Sequence, residues 1–228
     1  MREIVLDTET TGFEPSEGHR IVEIGAIEME NHLPTGRTYH QYLNPQRPMP
    51  PEAFEVHGLG DDFLRDKALF RDVAEAFLDF IGDARLVIHN AAFDMKFLNA
   101  ELRAVGRPAL PDTQALDTVL IARKKFPGAP ASLDALCRRF GVDNANRVKH
   151  GALLDCELLA EVYLELVGGR QPGLMLAEGS RGAAKAEDQA TRPKGRPAPL
   201  APRLTEKEAA AHAAFVGRIG EGAIWLKG

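Results

Sequence analysis

The sequence is short of cysteine and tryptophan and has no long apolar run, and each shortage closes off a class of protein. Its two cysteines, Cys137 and Cys156, sit apart in helix-like apolar patterns rather than in CxxC pairs. Neither a disulfide framework nor a zinc site is expected, and both read as reduced core thiols. No stretch approaches about 18 consecutive apolar residues, and the opening "MREIVLDTETTG" has neither a signal-like apolar core nor a small-residue cleavage site, which predicts a soluble, cytoplasmic chain. Neither GxxxxGK[ST] nor GxGxxG occurs, so motor and dinucleotide-binding readings lack their phosphate loops.

Positive charge is scarce as well, and unevenly so. Residues 1 to 167 carry 18 Lys and Arg against 27 Asp and Glu, a net of -9, whereas the remainder carries 10 against 6, a net of +4. Texture changes at the same place: "GSRGAAKAEDQATRPKGRPAPLAPR", residues 179 to 203, has almost no large apolar residues and reads as a flexible linker. The expected organisation is a domain over 1–169, a linker over 170–203 and a terminal segment over 204–228, where Thr205 and Glu208 form a capping-box pattern ahead of Phe215, Val216, Ile219, Ile224, Trp225 and Leu226.

Within the domain, "REIVLD" at 2 to 7, "RIVEIGAIEM" at 20 to 29 and "RTYHQYL" at 37 to 43 suit three early strands. Helical spacing of Phe70, Val73, Ala74, Phe77 and Ile81, stopped by Gly82, follows a short proline-opened helix in "PPEAFEVHG". "RLVIHN" reads as a strand, with Asn90 as N-cap of a helix that Gly106 and Pro108 end, and another strand near 115 to 117 leads into "TVLIARKKF". Ser132 suits the cap of "LDALCRRFG", and "GALLDCELLAEVYLELV" is the last helix of the domain. Early strands followed by alternating helices and strands predict an α/β fold with a mixed sheet flanked by helices.

Chemistry concentrates at the ends of these elements. Asp7 and Glu9 in "VLDTETTG" share one face at the end of the first strand, where like charges repel unless a hard divalent cation such as Mg²⁺ or Mn²⁺ lies between them. Asp94 falls in the first turn of the helix after "VIHN", and Asp155 early in the last helix, five residues after His150. If sheet ends and helix starts converge, four acids at such junctions could build a two-metal site. Thr10, Thr11, His57 and Asn90 are candidate substrate contacts, each with an ordinary structural alternative as turn polarity, loop histidine or cap. His89 reads as packed or hydrogen-bonded within its strand.

"DTETTG", "HNAAFDMKFL" and "HGALLDCELLA" resemble, in order and spacing, the three motifs of the DEDDh 3'-5' exonucleases. "VHGL", "ARKKFPG" and "SLDALCRRFG" bring the likeness closer to the epsilon proofreading subunits of bacterial DNA polymerase III, nearly continuously over residues 1 to about 169. The resemblance implies a ribonuclease-H-like fold, with Asp7, Glu9, Asp94 and Asp155 as metal-site acids and His150 as general base. It implies hydrolysis of the 3'-terminal phosphodiester to nucleoside 5'-monophosphates. It also implies partners: the polymerase catalytic (alpha) subunit, met by the C-terminal segment with Trp225 as anchor, and a sliding clamp, met by "QPGLML" at 171 to 176 through Gln171, Leu174 and Leu176. A small theta-like accessory subunit is left open. An RNA 3'-end trimming enzyme and a non-catalytic scaffold are the competing readings.

Overall fold

A computed structural model describes residues 1–145, 147, 149–169 and 204–220. The chain divides into two units, Met1–Leu174 and Met175–Gly228. The first is built on strands β1 (Arg2–Thr10), β2 (Ile21–Glu30) and β3 (Leu33–Tyr42), followed by helices α1 (Pro51–His57), α2 (Asp61–Leu64) and α3 (Phe70–Ile81). Then come β4 (Arg85–Ile88), α4 (Ala91–Ala104), β5 (Ala115–Asp117), α5 (Thr118–Lys125), α6 (Leu133–Phe140) and α7 (Ala152–Val167).

The five strands lie in the order β3-β2-β1-β4-β5. β1 runs antiparallel to β2, and β2 to β3, while β1 and β4, then β4 and β5, pair in parallel. This is the expected mixed sheet. Strand β3 begins at Leu33, earlier than the sequence reading placed it, because an exposed edge strand needs no apolar alternation to declare itself.

Alternation along β1 divides the core. Ile4 and Leu6 face one layer with Phe77, Ile81, Phe97 and Leu102, while Val5 faces a second with Leu136, Cys156, Leu159 and Val162. Helices α3 and α4 therefore cover one face and α6 and α7 the other. Both cysteines are buried and free, as expected of core thiols.

Cap chemistry fits the sequence reading at one start, adds a cap it did not name at a second, and departs from it at a third. Ser132 accepts from the Ala135 amide at the start of α6, and Asp117 caps α5 by accepting from Val119. Asn90 stands at the N-cap position of α4 but its side chain caps nothing: its backbone is left-handed, with φ 72°. Asparagine tolerates that conformation, and the sequence reading of Asn90 as a cap by side chain is corrected.

In the second unit, α8 (Glu206–Ile219) opens with the expected capping box: Thr205 Oγ1 accepts from the Glu208 amide, and Glu208 accepts from the Thr205 amide. Phe215 and Ile219 lie exposed on it. Residues 170–203 and 221–228, including Gln171, Leu174, Leu176 and Trp225, lie outside the described residues. No helix among the described residues is long and apolar enough to cross a membrane.

Candidate active site

Parallel pairing of β1 with β4 brings the carboxyl ends of both strands to one edge of the sheet, where α4 starts. Asp7 and Glu9 end β1 on the face covered by α7. The start of α7 is held against β2 by a glycine: a Cβ on Gly25, which lies opposite Asp7, would stand 2.4 Å from the Ala152 carbonyl carbon. The Cys156 thiol adds a 3.2 Å bond to the Gly25 carbonyl. That close approach carries Asp155, one turn into α7, to the same pocket.

Asp94 comes from the first turn of α4 and accepts from Thr8 Oγ1 at 2.7 Å. Asp7, Glu9, Asp94, His150 and Asp155 thus line a single cavity of about 450 Å³, with Asn90, Phe13 and Phe93 at its walls. Five residues drawn from three stretches of sequence meet there. Donor atoms of Glu9, His150 and Asp155 lie within 4.8 Å of one another.

Electrostatics mark the pocket. Burial, reinforced by Asp94, Glu9 and Asp155, holds the Asp7 carboxyl well above the ordinary carboxylate range. Burial first, then Asp155 and Glu23, pushes Glu9 up to about 8, and burial pushes Asp94 up to about 7 despite its bond from Thr8. Asp155 is the exception: burial raises it, but bonds from Arg147 and His150 bring it below its ordinary value.

The sequence reading missed Arg147. Its Nε and Nη2 donate to the two oxygens of Asp155 at 2.5 and 2.7 Å, Nη1 donates to Asp134 at 2.9 Å, and Nη2 lies 2.9 Å from His150 Nδ1. The His150 amide meanwhile donates to the Val56 carbonyl at 3.1 Å, pinning the histidine's loop to α1.

A second hollow of about 370 Å³ adjoins the first, lined by Glu9, Thr10, Thr11, Phe13, His57 and Phe93, among others. Thr10 Oγ1 donates to the Gly12 carbonyl at 2.6 Å, and Thr11 Oγ1 lies 3.1 Å from His19 Nδ1. His19, given no role from sequence, packs where any side chain at residue 12 would stand, since a Cβ on Gly12 would fall 2.3 Å from its ring. His57 is buried; its Nδ1 accepts from the Leu59 amide, and its buried Nε2 makes no hydrogen bond among the described residues. His89 lies one residue past β4 rather than within it; it pairs with Thr118 at 2.8 Å and also lines the first cavity.

A model of the exonuclease family matches residues 4–163. DNA polymerase III subunit epsilon of Rickettsia felis is 49% identical over 222 residues, covering 96% of this chain and 97% of that protein. The Escherichia coli subunit of the same name is 50% identical over 186 residues, covering 78% and 76%. The chain belongs to the epsilon-subunit family of exonucleases.

It is accordingly a 3'-5' exonuclease of the proofreading-subunit kind. Solved structures share the fold: the nuclease domain of 3'hExo, a DEDDh family member bound to rAMP, superposes with a TM-score of 0.63 at 19% identity, covering 73% of this chain and 91% of that one. Exonuclease X with 5' overhanging duplex DNA gives 0.56 at 24%, covering 72% and 90%. Family membership implies divalent metal ions, and the epsilon-type pocket fits them: its acids are hard oxygen donors, and burial, reinforced by neighbouring acids, holds three of them toward the neutral form.

Proposed function

We propose that this epsilon-type chain removes nucleotides from DNA 3' ends during replication in the cytoplasm, with Asp7, Glu9, Asp94 and Asp155 holding two Mg²⁺ or Mn²⁺ ions and His150 as general base. The observation that carries the reading is the convergence of four carboxylates on one pocket with so little compensating charge. When bound, the ions would supply the positive charge that makes water a nucleophile at neutral pH and stabilises the departing oxygen.

His150 is half-exposed at the mouth of this pocket, where an imidazole can take the proton of the attacking water. Water adds its oxygen to the terminal phosphorus and the P–O bond to the preceding 3' oxygen breaks, so the products are a nucleoside 5'-monophosphate and a new 3' hydroxyl. Thr10, Thr11, His57 and Asn90 are proposed substrate contacts, and His57 Nε2, buried beside the adjoining hollow, is suited to bond a polar group of the terminal nucleotide. Phe13, 79% exposed between the two cavities, offers a face on which a base can stack.

A domain of net charge -9 binds phosphates weakly by itself, which suits an enzyme tethered to its substrate by partners. Those partners are proposed to be the polymerase alpha subunit, through residues 204–228 and Trp225, and the sliding clamp, through Gln171, Leu174 and Leu176. Residues 170–203 serve as the tether between nuclease and polymerase. Pulldowns with the clamp after changing Gln171, Leu174 and Leu176 to Ala, and with alpha after Trp225→Ala, test each contact separately.

The deciding experiment is digestion of a 5'-labelled single-stranded DNA and its RNA counterpart with Mg²⁺ or Mn²⁺. A ladder shortening from the 3' end of the DNA is expected. Clear preference for the RNA would favour an RNA-trimming enzyme, and no activity with either metal would favour a scaffold.

A further inference from the structure

Arg147 has no part in the catalytic reading, yet all three of its guanidinium nitrogens are engaged at the pocket. Its side chain is 8% exposed and that of Asp155 4%, so the pair is out of bulk solvent. Among the described residues lining the pocket it is the one Lys or Arg. The fork spans both oxygens of Asp155, a geometry that a lysine ammonium cannot reproduce.

Two demands meet on Asp155. A guanidinium held across both carboxylate oxygens and a divalent cation bound to the same carboxylate repel each other, and each takes lone pairs that the other would use. Asp134 offers the guanidinium a second seat: it is half-exposed and already holds Nη1 at 2.9 Å. His150 is tied to the same group, so any shift of Arg147 away from Asp155 also changes what holds the histidine.

We propose that Arg147 is a positioning residue that acts as a built-in counter-ion, competing with a divalent cation for Asp155 and thereby setting the metal concentration at which the site fills. The inference rests on the metal-site reading above. Loading and the placement of His150 are then linked through one side chain: a cation that draws Asp155 from the fork also slackens the hold on the histidine.

The test is equilibrium titration of the full chain with Mn²⁺, followed by calorimetry and by the rise in melting temperature, in the wild type, Arg147→Gln, Arg147→Lys and Asp7→Asn. Removing a charge-assisted fork is expected to tighten Mn²⁺ binding by roughly tenfold in Arg147→Gln, with Arg147→Lys between it and wild type. Should the Gln variant fail to fold, the Lys variant decides alone, because it keeps the charge and loses the fork. Unchanged or weaker Mn²⁺ binding in the Arg147 variants, with binding abolished in Asp7→Asn, overturns the competition and leaves the metal site standing. Absence of Mn²⁺ binding in the wild type, or binding untouched by Asp7→Asn, removes both readings together.

Discussion

The two ends of strand β1 treat buried acids in opposite ways. At the amino end, Glu3 is fully buried and accepts from the Tyr163 hydroxyl at 2.8 Å and from His32 Nδ1 at 2.7 Å. Beside it Glu28 is bonded by Arg2, Thr35 and Arg37, and Arg2 also donates to the last carbonyls of α3. At the carboxyl end, Asp7, Glu9 and Asp94 face one another with Arg147 as the guanidinium lining their pocket among the described residues. A buried carboxylate is tolerable when donors satisfy it. The first end follows that rule and holds the sheet together; at the second, Asp94 accepts from Thr8 and Asp155 from Arg147, but the carboxylates crowd one another, and the cations proposed above are their counter-charge.

The sharpest way to separate the ends is to remove acids from each. Asp7→Ala combined with Glu9→Ala is expected to reduce digestion of a 5'-labelled DNA by at least about 1,000-fold, since metal positioning supplies several kcal/mol of transition-state stabilisation. Glu3→Gln should leave the turnover rate within about threefold of wild type below its melting temperature, because a change remote from the reacting atoms alters stability rather than transition-state binding. A comparable loss from both changes would break the comparison.

Stability should divide in the reverse sense. With a chelator present, Glu9→Gln is expected to stabilise the protein by about 1–3 kcal/mol near neutral pH, because it removes a carboxyl that must take up a proton to fold, a cost that shows in the raised pKa. Tyr163→Phe, which takes one donor from Glu3, should destabilise by about 1–3 kcal/mol. Denaturant melts of the two variants read both numbers. Gly25→Ala sharpens the geometry instead: the new methyl group meets the backbone of Ala152. Prising α7 from the sheet is expected to cost about 1–3 kcal/mol and to impair catalysis, since Asp155 rides on that helix.

Much of this arrangement could be read from residues near one another in sequence. The apolar run ending in Asp7 and Glu9 announced both the strand and the acids, and the spacing of Phe70, Ala74, Phe77 and Ile81 announced α3 and its buried face. Their places at helix starts singled out Asp94 and Asp155, family resemblance then gave them and His150 their roles, and all three stand in the pocket together. What escaped notice depends on partners distant in the chain. Arg20 pairs with Glu101 across 81 positions and Tyr163 with Glu3 across 160, and neither leaves a local pattern. Arg147 lies in a stretch without periodicity, Gly25 looks like any small residue in a strand, and the Asn90 backbone cannot be told from its side chain. A signal did exist for Arg147: a cation three residues before His150 and eight before Asp155, in an otherwise acidic domain.

Dependence on pH gives the smallest effect and the finest test of the contrast. Glu9 holds its proton to about pH 8 and Asp94 to about 7 in the folded chain, against ordinary values of 4.5 and 3.8. The folded state therefore binds protons more tightly than the unfolded one. Stability from these groups is fully present below pH 4 and lost as pH rises through 7 and 8. Glu28 behaves in the other direction. Its bonds from Arg2 and Thr35 lower its pKa, so its contribution is present above 4.5 and lost as pH falls through its folded value. Melts in chelator should thus weaken toward alkaline pH in the wild type, and Glu9→Gln should flatten that limb while leaving the acid limb as it was. Mn²⁺ competes with the same protons, so its stabilising effect should grow from pH 5 to 8. A wild-type alkaline limb as flat as that of Glu9→Gln would mean that the acids at the carboxyl end are as well compensated as those at the amino end, and that the pocket does not owe its affinity for cations to unrelieved charge.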